Sequence, residues 1–384
     1  MQLKSLKEAD VKGKTVLVRV DFNVAVDEHG NITEDQRIRD ALPTIKHLLR
    51  RRAKVVLMSH FGRPEGKIAE QYRLDRVAER LSELLGRDVT KLNDCINVKD
   101  KVKAAKGIVL LENLRFHPEE EANDRNFAAK LAALADLYVN DAFSNSHRAH
   151  ASMLGITEHL PSYAGLKLEQ EVKALSKCSE NPEHPLVLVV GGVKLADKLA
   201  VLVRFIELAD HILIGGAEMF TFYRAKGMET GRSKITEQEI PTARKLLNSP
   251  KIMLPVDTVI ADDFKEGAHT SVVSVNAMPP DKIGVDIGPE SVSRFSQIIA
   301  LAKTVVWAGP MGAFEIKGFE QGTRKIAEAI VSSKAYTVAG GGDTITAIGM
   351  LGLNDRFSYI SSAGGAMLKF LAGEELPALV PLRK

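Results

Sequence analysis

Short apolar runs rich in β-branched residues recur along the chain, and stretches with helical spacing separate them. In the first half TVLVRVDF (15–22), KVVLMS (54–59), GIVLLENL (107–114) and DLYVNDAF (136–143) read as strands. Between them Ile38, Ala41, Leu42, Ile45 and Leu49, then Leu74, Val77, Leu81 and Leu84, then Phe127, Leu131 and Leu134 fall on helix faces. The second half repeats the pattern with PLVLVVGG (185–192), HILIGG (211–216), KTVVWAG (303–309) and AYTVAGG (335–341), with helical segments at Lys198 to Ala209 and Arg324 to Val331. Near-continuous apolar runs belong to strands buried on both faces, and strand–helix–strand repetition gives a parallel sheet covered by helices. The predicted class is α/β: two similarly sized doubly wound parallel-sheet domains joined by a helix, with an active-site cleft between them.

The joint falls in the stretch from Pro161 to Pro185, where Leu168, Val172 and Leu175 share a helical face and Pro182 and Pro185 forbid its continuation. The predicted division is 1–165, a helix and linker at 166–184, a second domain at 185–370 and a terminal segment at 371–384. That last segment, with Pro377 and Pro381, is too short and broken to fold alone and is expected to pack on the first domain. A length of 384 residues suits two domains. A net charge of +3 gives no bulk attraction to nucleic acid or to a membrane, so any anion site must be built locally. Two distant cysteines, Cys95 and Cys178, and the absence of a signal-type apolar start or a spanning run lead to the expectation of a cytoplasmic protein.

Charged residues cluster at the predicted strand ends. Arg19, Asp21 and Asn23 close the first strand; His60 and Arg63 lie in the Gly–Pro turn SHFGRPEG; Arg115 ends LLENLRF; His147, Arg148 and His150 follow YVNDAF; Arg37 lies in TEDQRIRD. A doubly wound sheet gathers strand ends at one edge, where guanidinium forks suit a small polyanion. The plainer alternative pairs Arg19 with Asp21 or another acid and Arg115 with Glu112, and leaves the histidines to satisfy local backbone groups.

The second half is glycine-rich where the first is cationic. In LVLVVGGVKLADKLA a helix starting near Val193 places Lys194 and Lys198 on one face of its opening turns, either as an anion site or as solvated surface. In AYTVAGGGDTITAIG three glycines, 340–342, separate strand from helix, and Asp343 either holds Mg²⁺ or caps the helix. Glu315 either meets a ribose or is an ordinary turn acid. Walker A and GxGxxG patterns are both missing, and no nucleophile or convincing metal-ligand set is present. A polyanion site on one side and a glycine-rich phosphate site with lysines on the other is the division that phosphoryl transfer between two bound substrates requires.

Seven motifs, RVDFNV (19–24), SHFGRPEG (59–66), LLENLRFHPEE (110–120), YVNDAFSNSHRAHAS (138–152), VVGGVKLADK (189–198), VVWAGPMGAFE (305–315) and AGGGDTITA (339–347), together resemble the phosphoglycerate kinase family, in order and over essentially the whole chain. The resemblance implies a monomeric glycolytic enzyme that interconverts 1,3-bisphosphoglycerate plus ADP with 3-phosphoglycerate plus ATP, using Mg²⁺. It implies an N-terminal acid-binding domain with Asp21, Asn23, Arg37, His60, Arg63, Arg115 and Arg148, and a C-terminal nucleotide domain with Lys198, Glu315, Gly341, Gly342, Asp343 and Thr344. Arg37, Lys194 and Lys198 would stabilise the transfer, and Asp343 would be the metal ligand. Departures from the family pattern are Ala308 within WAGP, Ala363 within SAGGA, GGAEMFTF at 215–222 and AFSNSHRA at 142–149. The first three lie in the nucleotide half and bear on nucleotide affinity and base choice; a same-fold kinase with altered nucleotide preference and a binding protein without turnover are the rival readings.

Overall fold

A computed structural model of the chain describes residues 1–384, which divide into two compact units, Met1–Lys173 with Glu375–Lys384, and Ala174–Glu374. In the first unit, β1 (Thr15–Arg19) leads to a small antiparallel hairpin of β2 (Ala25–Val26) and β3 (Ile32–Glu34), then to β4 (Lys54–Met58), β5 (Val89–Lys91), β6 (Ile108–Leu110), β7 (Leu137–Asn140) and β8 (Ser162–Ala164). All but the hairpin form a parallel sheet in the order β5-β6-β4-β1-β7-β8.

Because successive side chains of a strand point to opposite faces, each strand feeds two cores. Val16, Val18, Val55, Leu57, Leu110 and Val139 pack with Ile38 and Ile45 of the helix Gln36–Arg50 and with Val77 and Leu81 of the helix Asp75–Leu85. Leu17, Val56, Met58, Val109 and Tyr138 face the other way, against Phe127 and Leu131 of the helix Arg125–Ala132. Burial on both faces is why these runs carry no apolar–polar alternation.

The second unit contains β9 (Leu186–Val190), β10 (His211–Ile214), β11 (Ile252–Met253), β12 (Asp257–Ala261), β13 (Thr270–Ser274), β14 (Ile283–Ile287), β15 (Thr304–Ala308), β16 (Tyr336–Gly340) and β17 (Tyr359–Ser361). A parallel sheet runs β11-β10-β9-β15-β16-β17, and a separate antiparallel sheet runs β13-β12-β14. The antiparallel sheet is an addition to the predicted pattern. Its strand β13, TSVVS, is largely exposed and lacks the apolar run that marks the buried strands.

Several predicted elements are shorter than their apolar runs. GIVLLENL yields only Ile108–Leu110, because the buried Glu112 carboxylate accepts the Asn113 amide at 2.9 Å and the Leu74 amide at 3.1 Å and turns the chain out of the sheet. The helix expected near Val193 begins at Leu199, after a 3₁₀ turn at Ala196–Lys198. Gly191 donates to the Ala308 carbonyl at 3.1 Å and Gly192 to that of Pro310 at 2.8 Å, so the chain leaving β9 is tied to the β15 turn before any helix can start. Lys194 and Lys198 therefore do not share a helical face.

The helix Leu166–Ser179 carries the chain from the first unit into the second, the division falling after Lys173. Glu375–Lys384 belongs to the first unit: Lys4 donates to the Leu382 carbonyl at 2.7 Å and Ala378 to that of Ser146 at 3.2 Å. No helix is long and apolar enough to cross a membrane.

Both parallel sheets reverse their winding at the centre. In the first unit β1 connects outward toward β4 while β7 connects outward toward β8, so the neighbours β1 and β7 send their chains to opposite sides; β9 and β15 do the same in the second. In such sheets the crevice beyond the carboxyl ends of those neighbours is the expected ligand site. In the second unit two loops cross there at backbone contact: Gly309 has φ +103°, and a Cβ on it would lie 2.0 Å from the Gly191 oxygen. Replacing Gly309 by Ala is expected to destabilise the second unit by about 2 kcal/mol or more. Trp307, the only tryptophan and fully buried in β15, reports it: the denaturation midpoint followed by its fluorescence falls, and an unchanged midpoint contradicts the close crossing.

Candidate active site

At the carboxyl end of β1, Arg19 is buried, and its guanidinium is shared among three partners. Nε donates to the Ser152 hydroxyl at 3.1 Å, one terminal nitrogen donates to the Val20 carbonyl, and the other donates to His60 Nδ1 at 3.1 Å. An arginine only donates, so Nδ1 of His60 is an acceptor and the ring proton resides on Nε2. The turn that carries His60 is stitched by the buried Asn113, whose Oδ1 accepts from Phe61 at 3.2 Å and whose Nδ2 donates to the Phe61 and Tyr72 carbonyls at 2.7 and 2.9 Å. Gly62 allows the tight bend: φ is +62°, and a Cβ would meet the Tyr72 ring at 2.3 Å.

Neighbouring residues lock onto the same turn. Gly62 donates to Asn23 Oδ1 at 2.8 Å, and Arg115 donates to the Gly62 carbonyl at 2.8 Å. Arg37, at the start of the helix Gln36–Arg50, pairs with Asp21, whose carboxylate also accepts from Ser144. Arg148 contacts the ring of His147 at 3.3 Å, while Arg63 is exposed on the turn and makes no protein hydrogen bond or ion pair. The simple pairings are overturned: Glu112 binds Arg73 at 3.0 Å and Lys91 at 2.5 Å, Arg115 pairs with Glu121 at 3.0 Å, and Asp21 bonds Arg37 instead of Arg19.

Like charges this close need a counter-charge. Glu120, fully buried, accepts from the Ser152 amide at 2.9 Å and its hydroxyl at 2.5 Å, and so sits one hydroxyl away from Arg19. Burial pushes the Glu120 carboxyl up, and the Arg19 guanidinium pulls it back toward the charged form. Burial first, and then the field of Arg19, Arg115, Arg148 and Arg37, holds the His60 imidazole well below its usual range, so it remains neutral. His150 is pushed down to about 4, first by burial and then by Arg115, Arg19 and Arg148. The result is a rigid set of donors with more positive charge than the acids behind it can balance.

The second unit presents a cavity of 690 Å³ at its own β9/β15 crossing. Its walls include Gly192, Lys194, Lys198, Ala308, Gly309, Gly341, Gly342, Asp343 and Thr344. Lys198 donates to the buried Glu218 carboxylate at 2.7 Å, whereas Lys194 is exposed and its ammonium has no protein partner. Gly340 belongs to β16 and Gly342 opens the helix Gly342–Met350, so Gly341 alone is the joint. The first amides of that helix face outward without intrahelical partners, a ready anion seat. Asp343 lies in its first turn, exposed and making no capping hydrogen bond, so the capping alternative falls away. The Asp343 carboxylate stands at the helix amino end on a wall that also carries Asp197 and Glu374, and fits a hard, oxygen-seeking cation that takes its other ligands from phosphate and water.

Of the predicted nucleotide-side residues, Glu315 stands apart from that cavity, and Thr344 is engaged within its wall. Glu315 is exposed on the segment leaving β15 and is not among the wall residues. Thr344 is buried and its hydroxyl accepts the Gly309 amide at 2.7 Å, which ties the β15 turn to the helix. Residues that the sequence pattern did not single out are Glu120, Ser152, Asn113 and Glu218. Nothing in HPEEE distinguishes the buried Glu120 from Glu119 and Glu121, and Glu218 was visible only as part of the altered 215–222 stretch.

Comparison with known proteins agrees with this arrangement. The family model described as phosphoglycerate kinase matches residues 6–374. The phosphoglycerate kinase of Dictyoglomus turgidum is 50% identical over 388 residues, covering 98% of each chain, and that of Trichodesmium erythraeum is 48% identical, again covering 98% of each. Among solved structures, phosphoglycerate kinase from Coxiella burnetii superposes with a TM-score of 0.91 at 38% identity over 99% of both chains, and that from Pyrococcus horikoshii with 0.87 at 32% over 99% of this chain and 98% of the other. The chain belongs to the phosphoglycerate kinase family.

Proposed function

We infer that the chain catalyses reversible phosphoryl transfer between 1,3-bisphosphoglycerate and ADP, giving 3-phosphoglycerate and ATP, with the first unit as the acid-binding domain and the second as the nucleotide-binding domain. The observation that carries the nucleotide half is the cavity of 690 Å³, lined by glycine turns, a helix amino end and three lysines, Lys194, Lys198 and Lys369. The acid half is supported by the donor set around His60 and Arg19. Arg63, Arg115 and Arg148 supply guanidinium forks for phosphate and carboxylate, His60 supplies a neutral Nε2–H, and Asp21 and Asn23 position Arg37 and the Gly62 turn.

In the forward reaction a terminal oxygen of the ADP β-phosphate attacks the acyl phosphorus, the bond from phosphorus to the carboxyl oxygen breaks, and the acid leaves as a carboxylate. No proton need be delivered to that leaving group, which agrees with a site holding cations and a neutral imidazole but no general acid. The moving group is stabilised by Arg37 from the acid side and by Lys194 and Lys198 from the nucleotide side. Gly341, Gly342 and the following amides seat the phosphates, Thr344 holds the β15 turn against them, and Glu315 is the residue assigned to the ribose. Asp343 would hold Mg²⁺, which when bound neutralises and orients nucleotide phosphate charge. We assign the working form as a monomer.

The rate of 3-phosphoglycerate-dependent ATP consumption, coupled to NADH oxidation through glyceraldehyde-3-phosphate dehydrogenase, tests this directly. Lys198→Ala is expected to lower kcat by about a hundredfold or more while the KM for 3-phosphoglycerate stays within about threefold. Full activity in that variant contradicts the role of Lys198, and turnover with GTP but not ATP moves the meaning of Ala308 and the 215–222 stretch to base choice.

His60 yields a second prediction. Its pKa in the folded chain is lowered, so between the unfolded value of about 6.5 and the lower folded value only the unfolded chain binds the proton, and this histidine's contribution to stability is lost as pH falls through that window. Its imidazole resonances are expected to stay at the neutral position, with the proton on Nε2, from pH 8 to pH 6. A midpoint near 6.5 contradicts the account.

A further inference from the structure

Glu218 is the first residue of the helix Glu218–Ala225, directly behind the nucleotide cavity and not part of its wall. Its backbone amide donates to the Gly192 carbonyl at 3.2 Å, and the preceding Gly216 donates to the Met311 carbonyl at 2.8 Å, so the carboxylate is anchored to both loops of the β9/β15 crossing. The side chain is buried. Oε1 accepts from Lys198 at 2.7 Å, and Oε2 is enclosed without any hydrogen-bond partner. An enclosed carboxylate oxygen with nothing bonded to it is costly while charged and becomes an ordinary hydroxyl donor or neutral group when protonated.

The surrounding charges make the balance narrower still. The groups that face Glu218 are Lys198, Glu239 and Asp197, and Glu239 itself accepts the Ala196 amide at 2.7 Å. One ammonium thus serves a neighbourhood of three carboxylates. Nucleotide phosphates entering the cavity would bring further negative charge to the same Lys198, whose Nζ reaches the glycine floor: it lies 3.3 Å from where a Cβ on Gly192 would be. Two like-charged groups cannot both keep full claim on one half-buried cation, and the one that can take up a proton yields.

We propose that Glu218 is a positioning residue that holds Lys198 while the cavity contains no anion and releases it, by taking a solvent proton onto its carboxylate, when the phosphates of a nucleoside diphosphate or triphosphate enter. This rests on the reading of the cavity as the nucleotide site. Burial already pushes the Glu218 carboxyl up to about 7, with Lys198 opposing the shift, so the proton is available to it near neutrality. Below that pH the carboxyl is neutral beforehand and nucleotide meets no competitor. Above it, each pH unit weakens binding by up to tenfold. The first unit plays no part, so the acid's affinity is unaffected by this exchange.

Isothermal titration of the full chain with ADP and Mg²⁺ in two buffers of different ionisation enthalpy, for the native protein and for Glu218→Gln, tests the proposal. At pH 8 the native protein is expected to take up more protons per nucleotide than the variant, by a sizeable fraction of one, because the nucleotide's own protons cancel in the difference. The variant is expected to bind ADP about tenfold more tightly at pH 8, the two curves converging by pH 6, with the KM for 3-phosphoglycerate unchanged. Equal proton uptake, parallel affinities across pH or weaker binding by the variant overturns the proposal while leaving the nucleotide site intact. No ADP binding by either protein overturns both. Should the variant fail to fold, the native protein alone decides, since binding with no uptake beyond that of the free nucleotide's own phosphate contradicts proton transfer to Glu218.

Discussion

A parallel sheet whose winding reverses at its centre leaves the carboxyl ends of two adjacent strands without a crossing connection, and both units of this chain are organised around that gap. At those ends the backbone must turn away into loops, and the side chains and amides of those loops are free to meet a ligand. In the first unit the gap lies beside β1 and β7, with Arg19 opposite Asn140 at the last registered pair. In the second it lies beside β9 and β15, with Ala308 opposite Val190. The strands below are buried on both faces, so the loops above them stand on rigid ground.

The two gaps are filled by different chemistry. The first gathers guanidinium groups, whose mutual repulsion is contained by Glu120 and Glu121 and by hydrogen bonds from Arg19 to Ser152, Val20 and His60. That same positive field keeps His60 neutral and so turns an imidazole into a directional donor. The second relies on backbone: glycines let the β9 and β15 turns touch, Thr344 braces them, and the amide ends of a helix face the opening. Side-chain charge there is balanced, three lysines against three carboxylates on the wall, and Lys198 and Lys369 are already engaged by Glu218 and Glu374. A small acid with two anionic ends and a long nucleotide with a chain of phosphates call for these two different surfaces.

Much of this was legible in the sequence because burial on both faces of a strand leaves an unmistakable apolar run, and because glycines after such runs mark close backbone contact. The arginines and histidines were legible for the same reason, each lying just beyond a run. What escaped was set by tertiary contact. The antiparallel sheet β13-β12-β14 has an exposed strand and no such run. The helix after β9 began later than its pattern because hydrogen bonds to Ala308 and Pro310 hold the preceding residues. Glu120 and Glu218 look like any acids in polar stretches; only the folded chain buries one behind Arg19 and the other against Lys198.

Hydrogen exchange of the full chain, read by mass spectrometry, shows whether each substrate is held at its own unit's switch point. With 3-phosphoglycerate alone, protection is predicted in the β1, β4, β6 and β7 end turns that carry Asp21, His60, Arg115 and Arg148. With ADP and Mg²⁺ alone, it is predicted in the glycine turns after β9, β15 and β16. Protection of the glycine turns by 3-phosphoglycerate with none around His60, or of the arginine cluster by ADP with none around Gly192 and Gly341, would contradict the account.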